Sequence, residues 1–311
     1  MSHANKTSLE KQVQERLKEC LRYGHSKHED KRQGIADKYI YSISTAKAYS
    51  KHCLYFVTWG KQSERIREAL GHRPRTLEEL KPYAAEWIRE REARGLSAYT
   101  IKLEAAALGK LYGESLGIET KGTRRADITR SRHAAKRDAH FSESNNAELA
   151  NFCRCVGCRR AELEKMRAED LRMIDGKPHI WIRGKGGRVR VAPVVGTADE
   201  IGRALAFLAR LDGRQKIHSA ADIHGYRAEY AQRVYSMHAR PLDTLRGKRI
   251  DYTAITGKEG AHGRIYKSAL YVCRGDQSGR TYDRAAMIAA SKALGHNRES
   301  VVGEHYLYGL T

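Results

Sequence analysis

The sequence predicts a mainly α-helical protein with a small antiparallel β-sheet, divided between a helical domain and an α+β domain. Three observations carry this. The chain has 311 residues, more than one compact domain usually needs. Apolar residues recur at helical spacing through most of its length. The period changes in "LRMIDGKPHIWIRGKGGRVRVAPV" (171–194), where short β-rich runs are split by Asp175-Gly176 and by Gly184 to Gly187, the pattern of two hairpins.

Taken in order, residues 8–23 place Leu9, Val13, Leu17 and Leu21 four apart, with Cys20 beside them. This is a charged amphipathic helix with a narrow apolar stripe, within an N-terminal arm over 1–34. A helical domain follows over 35–118. "STAKAYSKHCLYFVTW" puts Ala46, Tyr49, Cys53, Phe56 and Val57 on one face and is expected to stop at Gly60. "TLEELKPYAAEWIREREARG" opens with a capping box, Thr76 to Glu79, buries Leu80, Tyr83, Ala84, Trp87 and Ile88, and closes at Gly95. "SAYTIKLEAAALGKLYGESLG" supplies a third helix ending near Gly113 or Gly117. A bundle like this holds no catalytic cluster, so binding is its expected task.

From 119 to 140 "ETKGTRRADITRSRHAAKRDAH" carries seven Lys or Arg and almost nothing apolar, which predicts an extended basic linker. The second domain covers 141–311. It begins with a capped helix, "SESNNAELANFCRCVG", stopped by Gly157, and a further helix in "RRAELEKMRAEDL". The sheet comes next, then helices at 198–211, 219–238 and 284–294.

Lys plus Arg total 58 against 37 Asp plus Glu, a net charge of +21. Such a surplus points to a polyanionic partner. No window approaches the ~18 consecutive apolar residues of a membrane span, and "MSHANKTSLEKQVQERLKEC" lacks the apolar core of a signal peptide. A cytoplasmic protein with reduced cysteines is expected. Cys153, Cys155 and Cys158 in "CRCVGC" fit no common zinc spacing and read as small buried hydrophobes. There is no phosphate loop of the Gly-Lys-Ser/Thr kind and no paired carboxylate cluster for magnesium, so neither metal nor cofactor is expected.

Chemistry gathers in four short stretches. Arg159 and Glu162 in "VGCRRAEL" share a helix face at i, i+3, as do His224 and Arg227 in "HGYRAEYA". Lys185 sits in a Gly-Lys-Gly-Gly turn, and "ALGHNRESVVGEHYLYG" brings His296, His305, Tyr306 and Tyr308 together at the end of the chain. Each pair alone reads as a surface ion pair or a solvated turn. The ordered set is far more specific, because guanidiniums, imidazoles, an ammonium and a phenol suit attack on a phosphodiester.

In that order the sequence resembles the tyrosine recombinases, the integrase family of site-specific DNA strand-exchange enzymes. Arg159 with Glu162 is similar to the first arginine box, Lys185 in "IRGKGGRVRVAPV" to the β-hairpin lysine, and His224 and Arg227 to the His-x-x-Arg box. His296 in "LGH" matches the second histidine, and Tyr306 falls at the nucleophile, with Tyr308 the alternative because the spacing from His296 is one residue longer than usual in the family. Residues 43–113 resemble the family's core-binding domain. Ala228 stands where a His or Lys is frequent, and sixty-seven residues separate Arg227 from Gly295, implying an insertion near 239–283. Within it "GRIYKSALYVCRGDQSGRTYDR" reads as a hairpin turning at Asp276 to Gly279, with Arg264, Lys267, Arg274 and Arg280 nearby as expected DNA contacts.

The resemblance implies a helical core-binding domain joined to an α+β catalytic domain that cleaves and rejoins DNA through a 3′-phosphotyrosine. Integration or excision of a mobile element is the implied setting. Lys185 would protonate the leaving 5′ oxygen, and Glu162 would fix the orientation of an Arg or His. Implied partners are double-stranded DNA carrying recombination sites and further copies of the chain, monomer or dimer when free and a homo-tetramer on two sites. Accessory proteins are a further option. The implied location is a prokaryotic cytoplasm, at the nucleoid and away from membrane. Two rival readings stay open: a DNA-binding protein of this fold without strand transfer, and a type IB topoisomerase or telomere resolvase.

Overall fold

The computed structural model describes residues 7–122, 141–184, 187–296, 298–307 and 310. Lys185, Tyr308 and most of the basic linker (123–140) lie outside the described residues. The chain divides into two compact units, Met1–Ile128 and Thr129–Thr311.

The first unit holds α1 (Leu9–Glu19), α2 (Lys27–Arg32), α3 (Ile43–Gln62), α4 (Glu64–Leu70), α5 (Leu77–Leu80), α6 (Ala84–Ala93) and α7 (Ala98–Tyr112). Ser8 caps α1 by accepting the Lys11 N–H, and Leu9, Val13 and Leu17 are buried with Phe56, Leu80, Trp87 and Leu108 in one core. The helix placed in the N-terminal arm thus packs on its neighbours through its apolar stripe. Its three stripe residues each gain roughly 1.5–3 kcal/mol from burial, which an isolated arm would forgo.

Helix α3 does not stop at Gly60 but continues to Gln62. A Cβ at Gly60 would lie 2.5 Å from Leu80 Cδ2, so this glycine permits close packing and does not terminate the helix. Ser63, whose hydroxyl accepts the Ile66 N–H, makes the break instead by capping α4. The single helix expected over 76–95 is interrupted: the Thr76–Glu79 capping box starts α5, a 3₁₀ turn at Lys81–Tyr83 contains Pro82, and α6 follows. Proline has no N–H to continue the ladder.

The second unit contains α8 (Ala147–Val156), α9 (Arg160–Leu163), β1 (Leu171–Ile174), β2 (Lys177–Arg183), β3 (Val189–Pro193), α10 (Ala198–Leu208) and α11 (Ile223–His238). Then come β4 (Arg249–Asp251), α12 (Tyr252–Thr256), β5 (Tyr266–Ser268), β6 (Leu270–Val272), β7 (Thr281–Asp283), α13 (Arg284–Ala293) and α14 (Glu299–His305). Strands β1, β2 and β3 form one antiparallel sheet in that order, with Ile180 opposite both Leu171 and Ala192. That register turns Ile180, Ile182 and Ala192 into a core shared with α8 and α10. Cys153, Cys155 and Cys158 are buried there too.

Helix α9 is shorter than "RRAELEKMRAEDL" suggests. After Leu163 the chain turns to meet a distant segment, where the Ala168 N–H donates to Leu211 O at 3.0 Å and Arg167 bridges Asp212. The hairpin expected over 263–284 is realised by β6 and β7, while β5 leaves it to pair with β4. Helix α11 packs against both α8 and α13, and a second core of Tyr230, Met287, Leu294, Val302 and Tyr306 fills the space between α11, α13 and α14. Among the described residues no helix is long and apolar enough to cross a membrane.

Candidate active site

Helix α8 ends at Gly157, whose φ is +61°. A Cβ there would lie 2.1 Å from Tyr230 Cδ1, so the chain can turn at this point only as glycine. The turn leaves the Gly157 carbonyl free to accept from two arginines: Nη1 of Arg227, and Nη2 of Arg190 at 3.5 Å.

Two residues on, Arg159 caps α9. Glu162 folds back on it, with Oε2 accepting the Arg159 N–H at 2.8 Å and Oε1 accepting Arg159 Nη1 at 2.6 Å. From β3, Arg190 donates Nη1 to Oε1 and Nη2 to Oε2 of the same carboxylate, both at 2.9 Å. Arg227 Nη1 lies 4.0 Å from Oε2. Burial by itself would raise the Glu162 carboxyl, but the Arg190 fork, the Arg159 N–H and the Arg227 charge hold it at about 2. One carboxylate thus spaces three guanidiniums.

Arg227 lies on α11 and is wholly buried. Its Nε donates to Tyr306 Oη at 3.4 Å, Nη1 to Gly157 O, and Nη2 to Leu294 O at 2.5 Å. A guanidinium has five N–H donors, and these bonds use three of them. Gly295, at φ +70°, then turns the chain beneath Arg190, where a Cβ would come within 2.9 Å of Arg190 Cδ. His296 follows directly. Its N–H and carbonyl are tied to Ser291, and its Nε2 stands 3.3 Å from Tyr306 Oη. Burial, reinforced by the charges of Arg227, Arg159 and Arg190, lowers His296 to about 4. At neutral pH the ring is uncharged, and Nε2 can accept the Tyr306 proton.

Tyr306 closes α14. Its N–H donates to the carbonyl of fully buried Val302 at 2.9 Å, and its own carbonyl accepts from Gln232 Nε2 at 3.1 Å. Its ring centroid is 5.7 Å from Arg227 Cζ and 5.6 Å from the His296 ring.

The structure therefore brings Arg159, Glu162, Arg227, His296 and Tyr306 to one place. His224 sits in the first turn of α11 with an exposed side chain. Lys185 is outside the described residues; Gly184, the residue before it, borders the site, where a Cβ on it would lie 3.2 Å from Glu162 Oε1 and 3.9 Å from Arg159 Nη1. Arg190 is the participant that sequence reasoning misses. Its signal is the two-residue alternation of "RVRVAPV", which puts Arg190 on the same inward face as Ala192 and opposite Ile182.

A scan of protein-family models and a search of curated proteins each found no match. Among solved structures, the chain is similar to the XerH site-specific recombinase bound to difH substrate in a pre-cleavage complex. That likeness is 16% identical, covers 91% of this chain and 82% of that chain, and has a TM-score of 0.48. It is also similar to XerH bound to palindromic difH substrate in a post-cleavage complex, at 13% identity, 98% and 95% coverage and a TM-score of 0.44.

Proposed function

We propose that this chain is a tyrosine site-specific recombinase that cleaves and rejoins double-stranded DNA. The observation that carries the reading is a phenol, Tyr306, held between a buried arginine and a neutral histidine beside two further guanidiniums. Tyr306 Oη attacks the scissile phosphorus while its proton passes to His296 Nε2. Arg159 and the two remaining donors of Arg227 stabilise the charge growing on the non-bridging oxygens. The P–O5′ bond breaks, the protein keeps a 3′-phosphotyrosine, and the 5′ oxygen leaves as a hydroxyl with a proton from Lys185. Attack by a 5′-hydroxyl from another strand reverses these steps and frees Tyr306. No external energy source is consumed, because each new phosphodiester replaces one broken.

The basic surplus and the 119–140 linker suit a duplex partner. Four copies on two recombination sites, acting to integrate or excise a mobile element in a prokaryotic cytoplasm, complete the reading. The decisive assay traps the covalent complex on nicked suicide DNA and locates the tagged peptide. Tyr306→Phe should bind DNA and form no adduct, while Tyr308→Phe still forms it. The opposite pattern moves the nucleophile to Tyr308, and an adduct from the double variant removes the mechanism altogether.

A further inference from the structure

The segment between α11 and α13 does more than extend a basic surface. Glu299, in the first turn of α14, is buried, and three groups outside α14 converge on its carboxylate. The Tyr252 hydroxyl donates to Oε2 at 3.0 Å, while Lys267 Nζ and Arg284 Nη1 reach Oε1 at 3.3 and 3.1 Å. Lys267 Nζ also lies 3.5 Å from the Tyr252 ring centroid. Arg284 is fixed in turn by Ser268 O at 2.7 Å and Leu270 O at 3.1 Å. Lys267, named from the sequence as an expected DNA contact, pairs with Glu299 in the protein.

The same segment touches α14 further along. A Cβ on Gly303 would come within 3.1 Å of Cys273 Sγ and 3.0 Å of Met287 Cε, so the helix lies directly on the turn after β6 and on α13. Past Tyr306, the Tyr282 hydroxyl donates to Leu307 O at 3.0 Å. A helix of seven residues cannot hold itself together in water. Its geometry must come from whatever grips it, and here the grip is at its first turn, its middle and just beyond its end.

We infer that residues 239–283, together with the first residue of α13, form a seat for the helix that delivers Tyr306, with Tyr252, Lys267 and Arg284 gripping Glu299 as its positioning residues. Glu299 lies two helical turns before Tyr306, so a tilt of α14 about this clamp is felt at the phenol. The inference rests on Tyr306 as the nucleophile.

The test compares Glu299→Gln and Lys267→Met in the full chain. Adduct formation is followed in single turnover on saturating nicked duplex, DNA affinity is measured alongside, and amide exchange is read over 299–307 in DNA-free protein. Both variants should lower the saturated rate by about tenfold or more, since small misplacements at a reacting centre are costly. Affinity should stay within about twofold, exchange over 299–307 should accelerate while α8 and α11 stay protected, and the double variant should be no slower than the slower single one. Weakened affinity with an unchanged saturated rate would make the segment a DNA contact and overturn the inference, as would unchanged rate and exchange. If Glu299→Gln loses protection throughout, Lys267→Met decides the matter, because its side chain is 35% exposed and tolerant of change. If the unaltered chain forms no adduct at all, the recombinase reading fails, and exchange alone decides the seat.

Discussion

Arg190 and Glu162 meet through two parallel hydrogen bonds of 2.9 Å, with 8% and 3% of their side chains exposed. Removing Arg190 takes the bidentate partner from a buried carboxylate and leaves it only the Arg159 contacts, so the cost stays at or below about 3 kcal/mol, the low end for a broken buried pair. Arg190→Ala should therefore lower the urea midpoint markedly, and Arg190→Lys should recover only part of it because an ammonium lacks the planar fork. A loss of less than about 1 kcal/mol in the free energy of unfolding would show that the Arg159 contacts suffice to hold Glu162.

Acid should unfold the second unit in two stages. His296 stands at about 4 against an ordinary 6.5, so between those values the unfolded chain binds more protons than the folded one. Stability is then lost as pH falls through that window, by on the order of 2 kcal/mol for a half-buried ring. Glu162 acts lower: held at about 2 against 4.5, it stabilises the fold above its ordinary value and ceases to do so as pH drops toward 2. His296→Gln should flatten the stability curve from about 6.5 to 4 and leave the lower stage intact. A curve unaltered in the upper window would refute the assignment.

Lys185→Ala should bind its site nearly as well as the unaltered chain but cleave it about 100-fold more slowly, the usual worth of a proton donor. A 5′-bridging phosphorothiolate presents a leaving sulfur that needs no proton. Cleavage of that substrate should be restored, and failure to restore it would take the acid role away from Lys185.

Gly157→Ala offers a sharper test of how the arginines are held. The residue has φ +61°, and its Cβ would strike the Tyr230 ring. The displaced carbonyl is the one that accepts from Arg227 and Arg190. Strain of this kind costs about 1–3 kcal/mol, and cleavage should fall with it while DNA affinity at low salt holds. Normal cleavage by the variant would mean the carbonyl is not needed to place the guanidiniums.

Affinity for DNA should fall steeply with salt, by about a thousandfold between roughly 50 and 200 mM if six or more phosphates are contacted. A binding constant flat over that range would argue against backbone contacts as its source.

Where the governing signal is local, the sequence can be read directly. Thr76 and Glu79 cap their helix as their spacing requires, Gly113 and Gly157 end theirs in left-handed turns, and Asp175-Gly176 forms the tight turn between β1 and β2. Where the partner is distant in the chain, residue type alone misleads. Gly60 serves Leu80 and does not end a helix, α9 is cut short by Leu211, and Lys267 answers a glutamate thirty-two residues away. Arg190 is hidden for a related reason: in a run of alternating Val and Arg it looks like one more solvated cation. The alternation puts it on the inward face with Ala192, but only the burial of Glu162 shows what it meets there.

The crowding of Arg159, Arg190 and Arg227 around a single carboxylate has a thermodynamic side. With His296 neutral, two positive charges at the site lack a counter-ion from this carboxylate, and they repel each other in a largely enclosed space. The resting fold is thus electrostatically frustrated at its centre, and any phosphate that enters relieves the frustration. Ligand and native state then become linked quantities: each hundredfold excess over the dissociation constant adds about 2.7 kcal/mol to the free energy of unfolding. On the proposed reading, a DNA phosphate would double as the counter-ion that completes the fold.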